Sequence, residues 1–138
     1  MRLARTADLE AVALLNHCIL PNDPLGDELS RGVWWLLKEG RKLVGYCGMR
    51  TSDHPGNEGL WFLSRVGVLP EYRGRGLQKR MIQARVRYAR TRRAELIVTY
   101  TAVWNVASSN SLIACGFKLY EPYTKWVGDD VNYWRKLL

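Results

Sequence analysis

Several kinds of segment are missing from this chain of 138 residues, and each absence removes a class of protein. No apolar run approaches ~18 residues and the N-terminus has no long apolar segment, so the sequence predicts neither a membrane span nor an export signal. Cys18, Cys47 and Cys115 are an odd number and form no C-x-x-C pair, which argues against a disulfide framework and a zinc knuckle. We therefore expect a cytoplasmic protein without a membrane partner.

Histidine is also scarce. His17 and His54 have no partners at metal-ligand spacing, so we expect no metal site and no cysteine–histidine nucleophile. Repeats, linkers and low-complexity segments are absent, and 47% of the residues are hydrophobic, which is enough for one core. The sequence thus predicts a single domain over residues 1–138.

The charge is strongly positive and unevenly distributed. The formal net charge is +8, and the stretch from Tyr72 to Ala94 contains arginine and lysine but no aspartate or glutamate. Such a stretch favours a polyanionic partner, which leaves nucleic acid, an anionic membrane surface and a phosphorylated cofactor open.

Hydrophobic periodicity and turn residues predict alternating strands and helices. Thr6 is the expected N-cap of the first helix, and Cys115-Gly116 is expected to end the last one. The expected strands are 2–5, 33–37, 42–49, 60–68, 96–100, 117–120 and 131–137, and the expected helices are 7–19, a turn or two within 27–31, a helix from Leu77, and 109–114.

The segment from Val66 to Arg80 ends an apolar strand, crosses a turn rich in glycine and arginine, and enters a helix. Gly74 and Gly76 have no side chain to block an anion, so main-chain N–H groups at the new helix can point at it. Arg73, Arg75 and Lys79 add full positive charges. The segment therefore predicts a phosphate site.

Two motifs in this chain resemble those of the GNAT superfamily of acyl-CoA-dependent N-acyltransferases. Arg73-Gly74-Arg75-Gly76-Leu77-Gln78 is similar to the family's pyrophosphate loop, Q/R-x-x-G-x-G/A, with Gln78 in place of the usual small residue. Asn105 is followed eleven residues later by Gly116-Phe117, which is the spacing of the family's second cofactor-wall segment. A Walker A loop and a G-x-G-x-x-G fingerprint are both excluded by spacing.

The resemblance implies an α/β (α+β) fold with a mixed, mainly antiparallel sheet of six to seven strands flanked by about four helices. It also implies acetyl-CoA as co-substrate and a bulge at Gly67, beside which the strand's backbone would pair with the pantetheine arm. The cofactor-binding residues it implies are Val66, Gly67, Val68, Arg73, Gly74, Arg75, Gly76, Leu77, Gln78, Lys79 and Asn105.

The implied reaction is direct attack of a primary amine on the acetyl thioester in a ternary complex, without a covalent enzyme intermediate. The family's frequent carboxylate base is replaced here by Ser64, which would order a water relay, and Glu58 is a second candidate base. The family's thiolate-protonating tyrosine is replaced by Leu112, so Ser111 and Tyr120 are the substitutes nearest in sequence.

Two alternatives remain open at this point. A basic nucleic-acid-binding protein on the same fold would use Arg87 and Arg90 on the outer face of the second long helix, with steep salt dependence. A CoA-binding module without turnover is the other. The sequence leaves open the identity of the small-molecule or peptide amine, and whether the chain forms a homodimer.

Overall fold

The computed structural model describes residues 1–138, which form seven strands and four α-helices. In chain order the elements are β1 (Arg2–Thr6), α1 (Leu9–Ile19), α2 (Glu28–Arg31), β2 (Val33–Glu39), β3 (Lys42–Thr51), β4 (Trp61–Val68), α3 (Leu77–Thr91), β5 (Leu96–Ala102), α4 (Val106–Ala114), β6 (Lys118–Leu119) and β7 (Val131–Leu137). None of the helices combines the length and the apolar composition that crossing a bilayer needs.

The seven strands form one open sheet in the order β1-β2-β3-β4-β5-β7-β6. The pairs β1–β2, β2–β3, β5–β7 and β6–β7 are antiparallel, whereas β4 and β5 are parallel and are joined by α3. The predicted fold class, a mixed and mainly antiparallel sheet with about four helices, is confirmed.

The chain forms two compact units, residues 1–50 with 64–81, and residues 51–63 with 82–138. In the first unit, α1 packs its apolar stripe on the hairpin of β2 and β3. The buried residues of this core are Val12, Leu15, Leu25, Trp34, Leu36 and Tyr46. A second cluster in the same unit joins Leu37, Val44 and Tyr72, and it lies beneath the turn that precedes α3.

The second unit has an aromatic core. Phe62 and Tyr100 stack with ring centroids 5.8 Å apart, and Trp126 contacts both rings edge-on. Tyr133 donates its hydroxyl hydrogen to the carbonyl oxygen of Gly128 and accepts a hydrogen bond from the Val127 N–H. The loop before β7 is therefore fastened to the same cluster.

Several predicted boundaries differ from the observed ones, and three of the differences have a clear local reason. The N-cap of α1 is Asp8 and not Thr6, because the Asp8 carboxylate accepts the Ala11 N–H while Thr6 ends β1. Helix α4 begins at Val106, three residues before the predicted start, because Asn105 caps it. Strand β6 contains only Lys118 and Leu119, since the Phe117 N–H is bonded to the carbonyl of Leu112 in α4.

Gly48 in β3 is required by the indole opposite it, and this contact gives a stability prediction. A Cβ at Gly48 would lie 2.5 Å from Cζ3 of Trp34, and that ring is fixed because its Nε1–H donates to the Leu29 carbonyl. We expect Gly48→Ala to lower the free energy of unfolding in urea by about 1–3 kcal/mol through overpacking. Trp34→Leu removes the clashing ring. The double variant should therefore lose less unfolding free energy than the sum of the losses in the two single variants, by at least about 1 kcal/mol. Additive losses would contradict this account.

Candidate functional site

The turn between β4 and α3 is anchored by one buried aromatic side chain. Pro70–Tyr72 form a short 3₁₀ helix, and Tyr72 packs on Leu37 and Val44 of the hairpin. Its hydroxyl donates to the Glu39 carboxylate at 3.1 Å. The residues that follow Tyr72 are exposed, so the loop begins from a fixed point and projects into solvent.

Both glycines of the loop adopt backbone conformations that a side chain would strain. The φ angle is +78° at Gly74 and +73° at Gly76, in the left-handed region that L-residues with a Cβ avoid. A Cβ built at either position would meet no atom within 4 Å. The space beside these two residues is therefore open, and a ligand can approach the main chain closely.

Main-chain donors are available along this open stretch. The N–H groups of Gly74, Arg75, Gly76 and Leu77 make no hydrogen bond within the protein, whereas the Arg80 N–H already donates to the Gly76 carbonyl. The first N–H groups of an α-helix lack intrahelical acceptors and carry the positive end of its dipole. The start of α3 thus has the composition of an anion site.

The loop arginines are held by carbonyl oxygens and an aromatic ring rather than by carboxylates. Arg73 Nε donates to the Val68 carbonyl at 3.1 Å, and Arg75 Nη2 donates to the Glu71 carbonyl at 3.3 Å. The Arg75 guanidinium also lies over the Tyr72 ring, 4.8 Å from its centroid. These contacts orient both cations without neutralising them, while Lys79 is exposed one turn into α3.

The strand that leads to the loop has little space at its glycine. A Cβ at Gly67 would lie 2.5 Å from Cε1 of Tyr46, and a Cβ at Gly45 would lie 2.9 Å from the Gly67 carbonyl oxygen. Gly67 is therefore explained by packing against an aromatic ring and an adjacent strand. The bulge expected between Val66 and Val68 stays a prediction.

A charged cluster lies against the same strand, and the sequence alone did not predict it. The Arg65 guanidinium pairs with Asp23 at 2.9 Å and with Glu28 at 3.4 Å, and Arg50 lies 3.9 Å from Glu28. The Glu28 side chain is only 17% exposed. Two arginines inside otherwise apolar strands were the available signal, because a buried cation needs a partner.

Tyr46 adds a buried phenol to this cluster. Its hydroxyl donates to Oδ1 of Asn16, and Asn16 Nδ2 donates to the Asp23 carbonyl. Burial raises the pKa of Tyr46 to about 12; Arg65 opposes the rise, whereas Asp23 and Glu28 add to it. The phenol is therefore neutral at physiological pH and orders the loop that contains Asp23.

Ser64 has an unusual environment for a hydroxyl group. Its Oγ is shielded from solvent and has no hydrogen-bond partner in the protein. Buried polar atoms normally have one, so a water molecule or a ligand is the expected partner. Because side chains alternate along β4, Ser64 and Arg65 point to opposite faces of the sheet.

The remaining predicted site residues lie in the second unit, where most have local structural partners. Asn105 Oδ1 accepts the Ser108 N–H as the N-cap of α4, and the Ser111 hydroxyl donates to the Ala107 carbonyl one turn earlier. Leu112, which occupies the place of the family's tyrosine, is a buried core residue.

Tyr120 packs on the aromatic core of the second unit, whereas Glu58 is bonded within its own loop. Glu58 is exposed in the loop before β4, and its carboxylate accepts the Gly56 N–H at 3.2 Å. Tyr120 Oη accepts a hydrogen bond from Trp126 Nε1 at 3.3 Å, and the Arg135 guanidinium lies over the Tyr120 ring. In this arrangement the phenolic hydrogen of Tyr120 remains available to a ligand.

Comparison with known proteins finds one matching family. The sequence profile of the acetyltransferase (GNAT) family matches residues 6–117. A comparison with curated protein sequences finds no significant match.

Solved structures of similar fold cover almost the whole chain. The chain is similar to an IAA acetyltransferase from Bacillus cereus (16% identity, 99% of each chain, TM-score 0.80). It is also similar to a ribosomal-protein-alanine N-acetyltransferase from Brucella melitensis (18% identity, 100% of each chain, TM-score 0.76). A GNAT family acetyltransferase from Elizabethkingia anophelis with acetyl-CoA bound has 14% identity, coverage of 99% and 97%, and a TM-score of 0.77.

The raised pKa of Tyr46 predicts how stability responds to alkaline pH. The folded state holds the phenolic proton more tightly than the unfolded chain does, whose tyrosine pKa is about 10. The stabilisation is complete below about pH 10 and is lost as the pH rises towards 12, by up to about 3 kcal/mol. The free energy of unfolding should therefore fall more steeply over this range in the wild type than in Tyr46→Phe. Equal slopes in the two proteins would contradict the assignment.

Proposed function

Because the chain belongs to the GNAT family of acetyltransferases, we propose that it transfers the acetyl group of acetyl-CoA to a primary amine. The observation that carries the proposal is the glycine turn before α3, where left-handed backbone, open space and unpaired N–H groups coincide. The Elizabethkingia neighbour of the same fold contains acetyl-CoA, which supports this co-substrate.

The diphosphate of acetyl-CoA is assigned to the loop. Main-chain N–H groups from Gly74 to Leu77 would donate to its oxygens, and the two loop arginines would supply charge from either side. Gln78 stands where the family has a small residue, and its side-chain amide would donate to the same phosphates. Lys79, one residue further along α3, adds long-range attraction.

The pantetheine arm is assigned to the backbone of residues Val66 to Val68, by resemblance to the family. Contacts of this kind use main-chain N–H and C=O groups, so they demand little of the side chains. Asn105 belongs to the second cofactor motif, and its place at the start of α4 leaves its Nδ2 group as a donor for the arm.

The chemical step requires a neutral amine, whose nitrogen lone pair attacks the thioester carbonyl carbon. The C–S bond then breaks, the nitrogen loses a proton, and the thiolate of CoA accepts one. We assign the removal of the amine proton to a water ordered by Ser64, because the Ser64 hydroxyl has no other partner. That water would pass the proton to bulk solvent, and Glu58, which is exposed, is the alternative base.

Of the two candidates for thiolate protonation, we favour Tyr120. The Ser111 hydroxyl hydrogen is already donated to a helix carbonyl, whereas the Tyr120 oxygen acts only as an acceptor in its bond with Trp126. A phenol is also the more acidic donor.

The loop assignment can be tested by calorimetric titration with acetyl-CoA. Gly76→Asp places a carboxylate against the phosphates and strains the left-handed backbone, so affinity should fall at least about 100-fold. Gly59→Asp is the matched control, because Gly59 also has a positive φ with open space beside it. It lies before β4, in the second unit and outside the proposed loop, and this variant should bind acetyl-CoA as the wild type does. Unchanged affinity in Gly76→Asp would contradict the proposed site.

The role of Ser64 can be tested separately from binding. Ser64→Ala removes a hydroxyl without a protein partner, so the free energy of unfolding should change by less than about 1 kcal/mol. In contrast, kcat should fall by about 100-fold, the lower end of what positioned proton transfer contributes, with little change in KM for acetyl-CoA.

Ser111→Ala provides the comparison, since its hydroxyl is used within α4, and it should retain kcat. A Ser64→Ala enzyme with full kcat would eliminate the relay. Failure of the wild type to acetylate any of a panel of amines, with acetyl-CoA binding intact, would instead favour a CoA-binding module without turnover.

A further inference from the structure

A cavity of about 390 Å³ lies between the outer face of α3 and the C-terminal end of α4 in the second unit. On α3 it is lined by residues at helical spacing, and on α4 by the last residue of the helix and its C-cap. The lining residues are Gln83, Val86, Arg87, Arg90, Ala114 and Cys115. Its volume falls in the range of small-molecule sites in proteins.

The cavity and the glycine loop share no residue. The loop ends where α3 begins, at Leu77, whereas the lining residues of α3 run from Gln83 to Arg90. The lining therefore belongs wholly to the second unit, and the loop belongs to the first.

The two guanidinium groups at the cavity have no partner in the protein. Arg87 and Arg90 are both exposed and take part in no ion pair, hydrogen bond or ring contact of the structure. Helices α3 and α4 contain no aspartate or glutamate, so neither element supplies a counter-charge. The side-chain amide of Gln83 is also without a partner and adds a neutral donor.

The other lining groups give the cavity an apolar side. Val86 is 5% exposed, and Ala114 presents a methyl group from α4. The C-terminal end of α4 would repel an anion, but the Lys136 ammonium lies against Gly116, the residue that follows the C-cap. Lys136 therefore offsets the negative end of the helix.

We propose that this cavity binds a small organic phosphomonoester. A phosphomonoester dianion neutralises both guanidinium groups at once and accepts the paired hydrogen bonds that arginine donates, whereas a single carboxylate leaves one positive charge uncompensated. The volume exceeds that of a phosphate ion, and the apolar side accommodates the organic part of the ligand. A concave, partly apolar lining fits a small molecule better than the extended backbone of nucleic acid.

The binding test uses the cysteine in the cavity wall as a reporter. In a Cys18→Ser background, Cys115 is the only partly exposed cysteine, because Cys47 is buried. The rate at which N-ethylmaleimide modifies Cys115 is followed by mass spectrometry at constant ionic strength. Saturating phenyl phosphate should slow modification by about fivefold or more, as bound ligand excludes the reagent. Phenol, which has the ring without the phosphoryl group, should leave the rate unchanged.

Charge variants show whether the arginines are responsible. Arg87→Gln/Arg90→Gln should abolish the protection by phenyl phosphate. Arg41→Gln/Lys118→Gln removes the same net charge from exposed positions outside the cavity, and protection should be retained. Absence of protection in the parent protein, or equal protection in both double variants, would overturn the proposal.

Two further ligands separate this site from the competing explanations. Acetyl-CoA should not protect Cys115; if it does, and Gly76→Asp removes the effect, the cavity belongs to the acetyl-CoA site and the proposal fails. A short DNA duplex should protect no better than phenyl phosphate. Stronger protection by DNA, lost steeply with added salt, would replace the proposal with a nucleic-acid surface. None of these outcomes depends on acetyl transfer.

Discussion

The contact between Tyr72 and the hairpin of β2 and β3 holds the glycine loop in place. The ring is packed on Leu37 and Val44, and the hydroxyl is bonded to Glu39. Arg75 and Lys42 each lie over the ring, at 4.8 and 5.0 Å from its centroid. A loop rich in glycine would otherwise be conformationally free. Because its entry point is fixed, the N–H groups at the start of α3 have a defined arrangement, and this pre-organisation would lower the entropic cost of binding at the proposed site.

The arginines of this chain have three kinds of environment. These distinguish arginines in structural ion pairs from arginines whose positive charge is not neutralised. Arg65 is matched by Asp23 and Glu28 and fastens the segment before α2 to β4. Arg73 and Arg75 are directed by carbonyl oxygens, which orient a guanidinium without cancelling its charge. Arg87 and Arg90 have neither kind of partner. The overall charge of +8 therefore combines structural ion pairs with positive charge that is available to ligands.

Much of the fold followed from the sequence, because strand and helix patterns, glycine turns and caps are local signals. The sequence also predicted the turn between β4 and α3 and the helix start at Leu77. The boundary errors had local causes, whereas side-chain partnerships were missed where residues distant in sequence meet. Glu28 could be recognised as a buried partner of Arg65 only once β4 and α2 were brought together, and Ser64 acquired its shielded environment from the packing of the sheet. Asn105 caps α4 as well as belonging to the motif, which spacing alone did not reveal.

The close approach of Gly45 and Gly67 restricts the substitutions that β3 and β4 can tolerate at these two positions. The obstacle to a side chain at Gly45 is a carbonyl oxygen of the main chain, which no second substitution can make smaller. At Gly67 the obstacle is the Tyr46 ring, whose phenol is itself committed to Asn16. Gly45 therefore has no compensating change nearby, whereas at Gly67 the compensating change would remove the Tyr46 hydrogen bond to Asn16. Over evolutionary time, variation in this strand pair should accumulate at its ends, and the two glycines should persist even in relatives that act on different substrates.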